Sequence, residues 1–105
     1  MTRTNRVTLT GVITALEPLR HTPAGLPLQT LHVRHESMQQ EAGRERKVAC
    51  VVEAVAIGEV AHAMATSVTI GTMVAVEGFL GNKYRTGTQL ILHITNFQIQ
   101  SQSKL

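Results

Sequence analysis

The chain has 105 residues, enough for one small core and no second one. Hydrophobic residues make up 43% and charged residues 16%, a balance that excludes long disorder. Ten Lys/Arg stand against seven acidic residues, all of them Glu, and the net charge of +3 is compatible with a nucleic-acid or acidic-partner surface without requiring one.

Cys50 is the sole cysteine, so no intrachain disulfide is available. No apolar signal-like stretch follows the charged start. The uncharged run 63–76 is too short and too polar to span a bilayer, so a cytoplasmic protein is expected. Phe79, Tyr84 and Phe97 are the only aromatic residues. The core must therefore be built from Val, Ile, Leu, Ala and Met.

Residues 6–16 alternate, with Val7, Leu9, Gly11, Ile13 and Ala15 on one side and Arg6, Thr8, Thr10 and Thr14 on the other. Period two with β-branched residues predicts a strand. Gly11 inside it predicts a bend or bulge. Residues 17–27 form a connection interrupted by three prolines, and Thr22-Pro23-Ala24-Gly25 has the composition of a β-turn.

A second strand is predicted over 28–38, with Leu31, Val33 and His35 on one face and Thr30, His32, Arg34 and Glu36 on the other. A polar loop over 39–45 leads to a third strand over 46–53. There Val48, Cys50 and Val52 share the apolar face, so a buried Cys50 thiol is expected. Over 54–65 the period changes. Ile57, Val60, Ala61 and Met64 fall on one helical face, and Gly58 limits the helix to a short one. A fourth strand over 73–80, a polar loop over 81–88 and a fifth strand over 89–98 complete the pattern.

Three strands, a short helix and two strands are the order of a five-stranded Greek-key barrel, the OB-fold. Closure removes the sheet edges that five short strands would otherwise leave open. The expected fold class is all-β, one OB-fold domain over residues 1–100 with a polar tail over 101–105.

Spacings that suggest chemistry fail on geometry. His32 and His35 form H-x-x-H, but on a strand they point to opposite faces. Glu59-Val60-Ala61-His62 has the E-x-x-H spacing of di-iron bundles on a single short helix, where such sites need four. Gly81 and Gly87 are separated by one residue too many for a phosphate loop and lie between strands rather than before a helix. Cys50 has no base placed beside it. No catalytic residue, metal or cofactor is expected.

The two hairpin loops carry the better signal. The first brings Arg44, Arg46 and Lys47, and the second brings Lys83 and Arg85 around Tyr84. Loops of this kind border the groove of an OB-fold. Single-strand binding needs cations along the phosphates and flat side chains against the bases. Arg20 and Arg34 add charge on or near the same face. Charged hairpin tips also serve solubility alone, so the loops do not settle the matter by themselves.

The chain resembles the PriB family, primosomal replication protein N. The matching segments are Asn5-Arg6 with Leu9-Thr10-Gly11, then Thr22-Pro23-Ala24-Gly25-Leu26-Pro27. His35 with Ser37, Gln39 and Glu41-Ala42-Gly43 follow, then Cys50. The last is Ile70-Gly71-Thr72 leading into Val76-Glu77-Gly78-Phe79-Leu80. The set covers nearly the whole chain in order.

The resemblance implies an OB-fold homodimer that binds single-stranded DNA during replication restart, stabilising or stimulating the primosomal helicase (protein N′, PriA) at stalled forks. DnaT is a further partner that it implies. It places Lys83 and Arg85 at DNA-binding positions before Gly87, and Arg20 at another basic position. The full expected DNA-binding set is Arg20, Arg34, Arg44, Arg46, Lys47, Lys83, Tyr84 and Arg85. The chain departs from some relatives in having Arg44 in place of an aromatic, no Trp two residues before Cys50, and Gln89 at a further basic position. Two alternatives stay open on the residues: a primosome adaptor with vestigial DNA binding, and an RNA-binding OB module.

Overall fold

All five alternating segments form strands in a computed structural model of the chain, which describes residues 2–101. The elements are β1 (Val7–Leu16), β2 (Arg20–His21), β3 (Pro27–Glu41), β4 (Arg44–Ile57), α1 (Glu59–Ser67), β5 (Met73–Asn82) and β6 (Leu90–Ser101). β2 is a two-residue addition to the edge of β3. Residues 102–105, the rest of the expected tail, lie outside the described residues.

The pairings form a ring. β1 pairs with β5, β5 with β6, β6 with β4 in parallel, β4 with β3, and β3 returns to β1. This is the expected OB-fold. β1 serves two partners because it bends. Residues 7–12 pair with β5 and residues 12–16 with β3, with a register shift between Ile13 and Ala15. Gly11 sits at the crossing. A Cβ there would collide with the Arg34 carbonyl and lie 2.7 Å from Val33 Cγ1.

The interior contains Ile13, Leu31, Val33, Ala54, Ala56, Val74, Val76, Leu92 and Ile94, closed at one end by Ala61 and Met64 of α1. No aromatic ring is fully buried among them. The alternation read from β3 holds: Leu31 and Val33 face inward, Arg34 and Glu36 outward. The Thr22-Pro23-Ala24-Gly25 turn also forms, with Gly25 N–H donating to the Thr22 carbonyl at 2.8 Å.

Two sequence-matched segments meet in space. Asn5 Nδ2 donates to the Leu80 carbonyl at 2.8 Å, and Leu80 N–H donates to Asn5 Oδ1 at 2.9 Å. Arg6 forms an ion pair with Glu77. The chain preceding β1 is thereby tied to β5.

Three expectations are corrected. The helix begins at Glu59, five residues later than the changed period suggested. Residues 54–57 instead continue β4, where pairing with β3 and β6 buries Ala54 and Ala56 completely. Gly58, at φ 89°, breaks the strand and starts the helix. The polar loop over 39–45 shrinks to Ala42–Gly43, both at positive φ, since Gln39, Gln40 and Glu41 pair with Arg46, Glu45 and Arg44. Cys50 is exposed rather than buried. It pairs with His35, beyond the point where the β1–β3 ladder ends at Arg34, so that part of the hairpin projects past the core.

Candidate nucleic-acid interface

Side chains alternate across each strand, so the phase opposite the core defines the outer surface. On β3 and β4 that phase holds the cross-strand pairs Leu28–Ile57, Thr30–Val55 and His32–Glu53. On β6 it holds Ile91 and His93, and on β5 Phe79. Of these, Leu28, Thr30, Glu53, Val55, Ile57, Ile91 and His93 floor a groove of about 360 Å³, whose lining also includes Glu17, Arg20, Asn82, Lys83 and Tyr84.

The expected site residues separate into two groups. Arg20, Lys83 and Tyr84 line this groove. Arg85 stands exposed at the tip of the same β5–β6 loop. Arg34 and Lys47 share the outer phase of the β3–β4 ribbon but lie farther along it. Arg34 forms an ion pair with Glu36 at 2.6 Å and lines a second depression against β1. Arg44 and Arg46 belong to the opposite phase near the hairpin end, and Arg46 is paired with Glu41 at 2.7 Å. Only part of the set therefore converges on one surface.

Lys83 is not a bare cation. Its Nζ donates to Glu53 Oε2 at 2.9 Å, with 27% of the Lys83 side chain and 18% of the Glu53 side chain exposed. The Glu53 carboxylate holds the Lys83 pKa above its ordinary 10.5. The ammonium also sits 5.4 Å from the centre of the Tyr84 ring, within cation–π range. The root of the loop is thus fastened to the sheet.

The sequence reading missed a flat surface. Phe79 and His93, directly paired across β5 and β6, stack with ring centres 4.8 Å apart and planes 4° apart. Phe79 is 42% exposed, and His93 lines the groove. Neighbouring Gly81 leaves the His93 ring clear, since a Cβ at that position would come within 3.3 Å of His93 Nε2. The strand alternation carried the signal: Phe79 is out of phase with buried Val74 and Val76. Glu53 was missed as well, although it follows Lys47, Ala49 and Val51 in the outer phase.

Among the described residues no group of three or more His, Cys or Glu could hold a metal ion. No helix among them is long and apolar enough to cross a membrane.

Residues 5–96 match the family model described as another single-strand binding protein family. The chain is 39% identical over 95 residues to replication restart protein PriB of Nitrosomonas europaea, covering 90% of this chain and 87% of that protein. It is 32% identical to the PriB of Photorhabdus laumondii, over 91% and 93% of the two chains. In structure it is similar to PriB of Ralstonia solanacearum, with a TM-score of 0.84, 28% identity, and 93% and 99% of the two chains covered. The single-stranded DNA binding protein of Thermus aquaticus shares the fold at 23% identity and a TM-score of 0.75, over 93% of this chain and 50% of that one. The chain belongs to the PriB family of replication restart proteins.

Proposed function

We propose that this chain binds single-stranded DNA, without catalysing a reaction, and acts with it in replication restart. The observation that carries the reading is the groove itself: cations from β2 and the β5–β6 loop border a floor of apolar side chains next to the Phe79–His93 stack. Stacking on such a floor and charge along its rim are the two terms of single-strand binding. Family membership supports the same reading.

In this reading the protein is a cytoplasmic homodimer. It stabilises or stimulates the primosomal helicase (protein N′, PriA) at stalled forks, with DnaT as a further partner. The family supports these partners, and residues 7–11 of β1, which pair with β5 but not with β3, leave an edge that supports the dimer.

Titration of a labelled single strand, followed by fluorescence anisotropy across a salt series, tests the DNA-binding part. Affinity is expected to fall steeply with salt. Lys83→Ala and Arg85→Ala are expected to weaken binding more than Arg3→Ala, because Arg3 lies outside the groove. Salt-insensitive binding, or loop variants indistinguishable from the natural chain, would overturn the reading. Repeating the titration with the helicase present tests the partner.

The Lys83–Glu53 pair favours one second reading, an adaptor whose own DNA binding is weak, since it neutralises a rim cation. Sub-micromolar affinity at physiological salt counts against that adaptor.

A further inference from the structure

Within the single-strand-binding reading, on which it rests, we infer that Glu53 is a base-selecting residue of the groove and that Lys83 positions it. Glu53 is the acceptor that reads amino-bearing bases, cytosine among them, in preference to thymine.

The placement of the charges leads there. Glu53 lies in the groove lining beside Val55, Ile57, Ile91 and His93. The Glu53–Lys83 pair has no net positive charge with which to hold a phosphate on the floor. The floor around Glu53 is therefore suited to bases, and the phosphates fall to the rim at Arg20 and Arg85. Lys83 balances Glu53, which holds its ammonium at 2.9 Å, so Lys83→Ala would leave a bare carboxylate facing the phosphates and weaken binding.

The same bond fixes the carboxylate. It engages Oε2 and ties Glu53 of β4 to the root of the β5–β6 loop. With Oε2 engaged, Oε1 offers an acceptor to the groove.

The chemistry of the bases does the rest. A carboxylate only accepts hydrogen bonds. Cytosine presents the N4 amino group, for which Glu and Asp are acceptors of matching geometry. On its pairing edge thymine offers an imide N–H flanked by two carbonyl oxygens, and those oxygens face the carboxylate unfavourably. The Phe79–His93 stack and the apolar floor are indifferent to this distinction, since every base has a flat face. The cytosine preference is assigned to the Glu53 acceptor, and substitution of that residue isolates it.

Competition between labelled oligo-dC and oligo-dT of equal length at neutral pH tests the inference. The natural chain is expected to prefer oligo-dC by about fivefold, the low end of what one base-edge contact confers. Glu53→Gln can donate as well as accept, and is expected to bring the ratio close to one while binding persists. Lys83→Arg keeps a positioning cation and is expected to keep the preference. Lys83→Met is expected to lower it. Thermal unfolding by circular dichroism identifies any variant that fails to fold, and Glu53→Ala then replaces Glu53→Gln. Equal affinity for both strands in the natural chain, or an unchanged preference in Glu53→Gln, overturns the inference while leaving single-strand binding intact. Absence of binding to either strand overturns the underlying reading instead.

Discussion

Phe79 follows Val76 by three positions on a strand, and that odd spacing places it on the surface while Val76 stays in the core. Its ring is stacked on one side by His93, so its orientation is set before any ligand arrives. A pre-oriented ring loses little conformational entropy on binding. Phe79→Ala is expected to weaken single-strand binding by about 1–3 kcal/mol, the range for one stacked base. The same substitution should barely change stability, because the ring is partly exposed. Anisotropy titration and a thermal melt measure the two effects separately, and a large loss of stability with unchanged affinity would assign Phe79 to packing alone. The residue scale is where the sequence was least sufficient. Lys83 and Tyr84 were legible because they are neighbours in a loop of distinctive composition. The partner of Lys83 lies on a different strand, and its Phe79–His93 neighbours meet only through the β5–β6 register. Contacts between distant segments leave no local pattern.

Elements were more legible than contacts, because a strand writes its period locally. The exceptions are instructive. In β4, Ala54, Val55, Ala56 and Ile57 satisfy a period of two, while Ile57, Val60, Ala61 and Met64 satisfy a helical one. The overlap was resolved by tertiary structure: residues 54–56 pair with β3 and β6, and Ala54 and Ala56 are fully buried there. The hairpin of β3 and β4 is longer than its polar composition suggested, since ladder pairing tolerates polar residues where both faces meet water. Gly11 was a more reliable clue. The bend read from it is the point where β1 exchanges β5 for β3. Gly11→Ala would drive a methyl group into the Arg34 carbonyl. Such overpacking against backbone is expected to cost about 3 kcal/mol. For a domain of this size that lowers the melting temperature by more than roughly 10 °C. An unchanged melt would mean that β1 and β3 can separate there without loss.

At the scale of the whole molecule, closure of the ring is incomplete, and the gap lies on β1. Residues 12–16 have β3 on one side, but among the described residues Val7–Gly11 have a strand partner only in β5. On the open side the His35 Nδ1–H donates to the Thr10 carbonyl at 2.7 Å, while His35 Nε2 is engaged by Ser37 Oγ at 2.7 Å. The Thr10 main chain therefore faces away from β5, and by alternation so does that of Thr8. An unpaired edge with threonines rather than lysines along it invites a second strand. A second copy of β1, added antiparallel, would cover this edge and the depression of about 540 Å³ beside it, lined by Thr10, Val12, His35 and Ser37 among others. Proline is tolerated on a free edge but cannot donate to an added strand. Thr8→Pro is thus expected to keep the β5 ladder and the circular dichroism spectrum while converting the proposed dimer into a monomer. Light scattering coupled to size exclusion measures the change. A natural chain that is monomeric throughout the accessible concentration range, or a Thr8→Pro chain that remains dimeric, would show that assembly does not use this edge.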